Sequence, residues 1–289
     1  MIPLFDLHCD TLLKLYNNNE DFKENQLHIS LNKASIFSPY IQVLAIWSDN
    51  QLSNDEAFHT YKKVVKYAKE KNILNNSFIL AVEDARILNG DITRLDTLFN
   101  DKVRVITLNW AGNSIIGGAW DTSFGLSSFG KEVVAKSIDL GIIPDISHSS
   151  IPASNEIIDI CQSKNYVPIA SHSNSYAICP HKRNLSDELF KEIVGMKGLV
   201  GISLASEHLC STHATIYDIL KHIYHYLSLG GENVISLGCD FDGVNTLPQG
   251  IASIKDLDKL FFLTKSEFGQ EIAYKFFYKN AFEFFYKHS

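Results

Sequence analysis

The sequence predicts an α/β fold, a (β/α)8 TIM barrel with additional C-terminal helices, and three observations lead there. Short β-branched apolar runs alternate with amphipathic segments of helical period, the pattern of βαβ units in a parallel sheet. Eight such runs can be counted along the chain. No Gly-x-Gly-x-x-Gly follows the first run, as a doubly wound nucleotide-binding sheet would show, and 289 residues suit one barrel of about 250 plus extensions.

Taken in order, strands are expected at 2–7, 41–47, 78–82, 103–108, 142–147, 167–171, 199–204 and 234–239, each an apolar run of strand length. Amphipathic helices are expected between them at 55–71, 92–99, 130–140, 152–164, 186–194 and 215–229. Two more helical stretches follow the last strand, 254–263 and 266–288. The second carries Phe and Tyr at spacings of three to four, which predicts a helix packed on the barrel wall. No repeat, linker or composition break divides the chain, so a single domain over 1–289 is expected.

Composition narrows the function. The net charge is −7 and the Lys and Arg residues are scattered among acids, which leaves no basic face for a phosphate backbone and argues against nucleic acid. The start, Met1-Ile2-Pro3-Leu4-Phe5-Asp6, has no basic leader, and no stretch approaches the ~20 apolar residues of a membrane span. The five cysteines show no Cys-x-x-Cys spacing, which argues against a disulfide framework and a cysteine zinc site. No membrane partner and a cytoplasmic location are therefore expected.

The C-terminal strand ends of such a barrel face the active-site mouth, so their residues are the informative ones. Strand one ends in Asp6-Leu7-His8-Cys9-Asp10, where alternation puts Asp6, His8 and Asp10 on one side and turns Cys9 into packing. Strand three ends in Glu83, strand five in Asp145-Ile146-Ser147-His148, strand six in Ser171-His172-Ser173-Asn174, and strand eight in Asp240-Phe241-Asp242-Gly243. A single histidine at a strand end is commonly structural, but five strand ends delivering imidazole or carboxylate form a joint pattern. Imidazole plus carboxylate without thiolate suits zinc or a similar divalent ion, and a carboxylate can bridge two ions. Glu83 is the expected bridge.

These motifs, in this order over nearly the whole chain, resemble the membrane dipeptidase (renal dipeptidase) family of metallopeptidases. The resemblance implies a barrel of the metal-dependent hydrolase type with two divalent metal ions, expected to be zinc. By that match His8 and Asp10 hold the first metal, Glu83 bridges, and His148 and His172 complete the second. Asp240 matches the catalytic acid beside the bridging solvent. Arg183, in Lys182-Arg183-Asn184, matches the arginine that binds the substrate's terminal carboxylate, a task suited to a bidentate guanidinium. The expected reaction is attack of a hydroxide bridging the metals on a dipeptide bond, with Asp240 relaying the proton. The C-terminal residue of the dipeptide can be D. A homodimer is the family expectation.

The chain departs from the family at strand four. Thr107-Leu108-Asn109-Trp110, followed by Asn113, puts Trp110 where relatives often carry a histidine that contacts the reacting carbonyl. An indole has one donor and no titratable nitrogen, so polarisation of the carbonyl would fall more on metal. Trp110 and Asn113 are expected to line the substrate site. Asp242 is expected either to orient the strand end or substrate amine, or to serve as a turn residue before Gly243. His222 and His225 are expected to be structural. Two alternatives stay open: a hydrolase of the broader amidohydrolase type acting on an N-acyl amino acid, cyclic amide or lactone, and an inactive metal- or peptide-binding barrel. No lysine lies in 103–108 to serve as the carboxylated ligand of the broader amidohydrolase pattern.

Overall fold

The computed structural model describes residues 1–288. Eight strands close into a barrel in sequence order. They are β1 (Ile2–Asp6), β2 (Phe37–Trp47), β3 (Phe78–Glu83), β4 (Val103–Thr107), β5 (Ile143–Asp145), β6 (Ile169–Ala170), β7 (Leu199–Ile202) and β8 (Ile235–Leu237). The helices are α1 (Thr11–Asn18), α2 (Leu31–Ala34), α3 (Asn54–Glu70), α4 (Arg94–Asn100), α5 (Ser128–Asp139), α6 (Ile151–Ser163), α7 (Asp187–Met196), α8 (Ser206–Leu209), α9 (Ile216–Ser228), α10 (Leu257–Phe268), α11 (Gln270–Tyr274) and α12 (Asn280–Lys287). The chain resolves into two compact units, Leu44–Ala170 and the remainder, Met1–Val43 with the segment from Ser171 onward.

In the unit formed by the two ends of the chain, β1 pairs in parallel with β2 through Leu4–Tyr40, Phe5–Ile41 and Asp6–Gln42, and with β8 at Asp6–Leu237. β7 and β8 pair from Val200–Ile235 to Ile202–Leu237. Its fully buried aromatics include Phe5, Phe190, Tyr226, Phe241, Phe276 and Phe277, with Phe190 stacked on Tyr226 at 3.9 Å. Helix α7 starts where Ser186 accepts from the Leu189 amide, and α9 where Thr215 and Asp218 form a reciprocal cap.

In the unit Leu44–Ala170, β3 pairs with β4, β4 with β5 and β5 with β6, all in parallel. Ser53 and Glu56 form a capping box at the start of α3. Ser127 and Ser150 cap α5 and α6, and Pro152 occupies the first turn of α6, where its missing N–H costs nothing.

The predicted barrel and strand order agree with the structure, and the differences lie at element ends. β2 begins at Phe37, earlier than expected, because Ile2 pairs with Phe37 across the sheet. β5, β6, β7 and β8 stop short of the expected ends, and His148 and Asp240, a few residues beyond β5 and β8, have positive φ, which extended strand does not allow. Helices α1, α2 and α8 do not show in the periodicity. The expected helix over 266–288 is interrupted at Gly269, which has φ +90°, and contains a π turn over Lys275–Lys279. Only part of its aromatic content meets the wall. Phe276, Phe277, Phe284 and Phe285 are buried, whereas Tyr274, Phe282 and Tyr286 face outward.

Candidate active site

The β1 and β8 ends are knitted together beyond their last paired residues. The Leu7 amide donates to the Leu237 carbonyl, the Asp240 amide to the His8 carbonyl and the Asp10 amide to the Phe241 carbonyl. This ladder brings three side chains into one group: a ligand atom from each of His8, Asp10 and Asp240 lies within 4.8 Å of the others. His8 Nε2 stands 3.6 Å from Asp10 Oδ2 and 3.9 Å from Asp240 Oδ1. The His172 ring lies against that of His8 with centroids 3.9 Å apart. Ser171 Oγ is 2.7 Å from His172 Nδ1, which fixes the ring and leaves Nε2 as the ligand nitrogen.

Two glycines make this crowding possible. A Cβ on Gly243 would sit 2.2 Å from Asp10 Oδ2 and 2.4 Å from Asp240 Oδ1, so the two carboxylates converge over a position where only hydrogen fits. A Cβ on Gly238 would meet the Ser171 carbonyl at 1.8 Å, so the β8 backbone runs directly beneath the residue that orients His172.

Asp6 does not join the group, contrary to the alternation reading. Regular strand ends at Asp6, and its fully buried carboxylate accepts from the Cys239 amide at 2.8 Å and from Gln42 Nε2 at 3.1 Å. Burial raises its pKa while these hydrogen bonds act in the opposite direction. It positions the strand ends that carry His8 and Asp240. Cys9 is fully buried, as expected, and burial pushes its thiol well up. Asp242 spends both carboxylate oxygens inside the protein, accepting from Thr11 Oγ1 at 2.5 Å and from the His28 amide at 2.7 Å.

In the unit Leu44–Ala170, Glu83 and His148 form a second buried pair, with His148 Nε2 3.0 Å from Glu83 Oε1. His148 Nδ1 is 3.1 Å from the Trp110 carbonyl oxygen, which selects the tautomer with Nδ1 protonated and Nε2 available as a ligand. The Trp110 indole stacks on His148 at 6.0 Å and meets Trp47 at 4.9 Å. Trp110 is thus both an aromatic wall and, through its backbone, the support of a candidate ligand. Asn113 lies exposed in the loop beyond it.

Sequence reasoning missed the frame around Glu83. Asp84, with φ +78°, pairs with Arg86, whose buried guanidinium donates to the Ser48 and Leu52 carbonyls and ties the loop after β2 to the end of β3. Burial, aided by the Glu83 charge and opposed by Arg86, holds the Asp84 carboxyl up at about 7. The Asp84-x-Arg86 spacing was its signal. Arg183 is buried, its amide donating to His181 Nδ1 at 3.2 Å, and the neighbouring Asn184 side chain donates to the Cys179 and His208 carbonyls at 2.8 Å each. His222 and His225 do hold structural contacts, to the Ser175 amide and Leu209 carbonyl and to Asp187 respectively.

An imidazole and carboxylate donor set, converging over a glycine and with ring nitrogens aimed by oxygen partners, fits divalent cations. Fold and donor set are those of metal-binding (β/α)8 barrels. Residues 41–285 match the family model described as membrane dipeptidase, peptidase family M19, and the chain belongs to that family. It is 34% identical over 134 residues to "Dipeptidase aclJ" of Aspergillus oryzae, covering 45% of this chain and 31% of that protein. It is 30% identical over 191 residues to "Uncharacterized dipeptidase C965.12" of Schizosaccharomyces pombe, covering 62% of this chain and 44% of that protein. The matches therefore span less than half the length of these curated relatives. Among solved structures, the metallopeptidase "dipeptidase AC" of family M19 superposes with TM-score 0.90 at 22% identity, over 98% of this chain and 97% of that one. A metallopeptidase from Rhodobacter sphaeroides, liganded with a phosphinate mimic of L-Ala-D-Ala, gives TM-score 0.90 at 21% identity, over 100% and 99%. These two likenesses concern the fold.

Proposed function

We propose that the chain is a metal-dependent dipeptidase, a single catalytic domain in which His8 and Asp10 hold one divalent ion, His148 and His172 a second, and Glu83 serves both. The observation that carries this reading is the convergence of His8, Asp10 and Asp240 over Gly243, with His172 packed against His8. Family membership supports it, as does the dipeptide mimic bound by the Rhodobacter sphaeroides relative. Zinc is the proposed ion, and a homodimer in the cytoplasm the proposed setting.

When bound, divalent ions lower the pKa of water towards about 7 and polarise the scissile carbonyl. The chain's own residues do the rest. Asp240, partly exposed beside His8, takes the proton from the attacking water and returns it to the leaving amine. Arg183 pairs with the substrate's terminal carboxylate and limits length to two residues, because a third would put an amide in its place. Trp110 walls the site and holds His148, while Asn113 offers amide contacts to the substrate from the loop rim. Asp242 orients the strand end through Thr11 and His28.

A panel of L-L and L-D dipeptides assayed with added zinc tests the proposal. The expected result is hydrolysis of dipeptides and not of tripeptides, with Asp240→Asn lowering kcat by about 10²- to 10⁴-fold at unchanged thermal stability. A panel left entirely intact, or an Asp240→Asn variant as fast as the parent, would refute it.

A further inference from the structure

Behind His181, whose ring accepts from the Arg183 amide, lies a cavity of about 390 Å³ that the proposed chemistry does not use, within the size range of small-ligand sites. It is bounded by the turn carrying Cys179 to His181, the short helix α8, the following loop and Thr246. Its wall is polar. Glu207 supplies a carboxylate, and Ser206, Ser211, Thr212 and Thr246 supply hydroxyls. Among the described residues that line it there is no lysine or arginine.

Its link to the clamp is direct. His181, on the cavity wall, accepts from the Arg183 amide through Nδ1. The Asn184 side chain bonds the Cys179 and His208 carbonyls, which locks the turn carrying Arg183 to α8 carrying Glu207. Burial and the neighbouring Arg183 lower the His181 pKa, while Glu207 acts in the opposite direction, so the imidazole lies within the field of both charges. His181 accordingly stays neutral near pH 7 and adds no positive charge to the wall.

We infer that this cavity receives the side chain of the substrate's C-terminal residue and that Glu207 selects dipeptides ending in a cationic residue, lysine or arginine. The inference rests on the dipeptidase reading, since it takes the terminal carboxylate to be on Arg183. That carboxylate and the side chain share one Cα, so a carboxylate held at Arg183 delivers the side chain to the space next to it. The two charges of such a residue then match two protein charges of opposite sign, carboxylate on Arg183 and ammonium or guanidinium on Glu207. The hydroxyls accept the remaining N–H groups. Glu207 is a specificity residue here and takes no part in bond breaking.

The test compares kcat/KM for Ala-Lys, Ala-norleucine and Ala-Glu, each with L and D C-terminal residues, in the parent, Glu207→Gln and Glu207→Lys. Norleucine keeps the chain of lysine and drops its charge. The parent is expected to prefer Ala-Lys to Ala-norleucine, and Glu207→Gln to reduce that ratio by up to about five-fold, the size of a water-exposed ion pair. Glu207→Lys should invert the order of Ala-Lys and Ala-Glu, a result that a purely structural role for Glu207 would not produce. Dipeptides hydrolysed with the same ratios in all three proteins would overturn the inference and leave the dipeptidase reading standing. Failure to hydrolyse any dipeptide would overturn that reading and the inference with it.

Discussion

At the scale of single residues, Gly243 decides how close two acids can come. Asp10 and Asp240 approach a point where a methyl group would overlap both carboxylates. Two carboxylates at that spacing repel unless a cation lies near them or one is protonated, so the missing Cβ leaves room for the proposed ion on Asp10 beside the proposed base Asp240. Gly243→Ala should therefore push the acids apart and lower zinc affinity at least ten-fold, read by competition with a chromogenic chelator. An unchanged affinity would show that Asp10, at this position, does not hold the proposed ion. The residue types of this group were legible in the sequence because strand ends of a barrel face one mouth. The glycine's role was not, since it depends on which side chains crowd a missing Cβ. Asp6 was seen but misplaced for a related reason: alternation holds only while the chain remains extended, and the strand stops at that residue.

At the scale of elements, α9 is held by a buried histidine. His222 Nδ1 accepts from the Ser175 amide beyond β6, and Nε2 donates to the Leu209 carbonyl at the end of α8. Both bonds need the neutral ring, and burial pushes its pKa down to about 4 from the ordinary 6.5. The unfolded chain thus binds this proton first. The clamp's full contribution is present above pH 6.5 and is lost as pH falls from 6.5 towards 4, by about 3 kcal/mol across the window. Stability measured in urea should decline over that range in the parent, and less steeply in His222→Gln; parallel declines would remove His222 as the cause. Periodicity made α3 to α7 and α9 legible to within a few residues. It missed α1 and the single turns α2 and α8, the latter two too short to show a period, and misjudged the C-terminal helix. There a period of three to four marks aromatic rings on two faces, one buried with Phe277 and one exposed with Tyr286.

At the scale of the whole molecule, the strand count and the order of motifs determined the fold before any contact was known, and the closed order β1 to β8 agrees. What remained hidden was the support behind each proposed ligand: Ser171 behind His172, the Trp110 carbonyl behind His148, and Arg86 behind the turn after Glu83. Such partners are generic residues whose importance comes only from where the chain returns in space. Among the described residues no helix is long and apolar enough to cross a membrane. The proposed ligands run in sequence from His8 to His172, with Asp240 beside them, so bound cations would tie together segments far apart along the chain. They would also neutralise buried carboxylates that repel one another in a molecule of net charge −7. An ion present at 100 times its dissociation constant adds about 2.7 kcal/mol per site through mass action. Stripping the ions with a chelator should therefore lower Tm by roughly 5–10 °C for two sites in a chain of this size, and added zinc should restore it. Superimposable melting curves with and without chelator would mean that these side chains hold no ion in the folded protein, and the dipeptidase proposal would fall with that result.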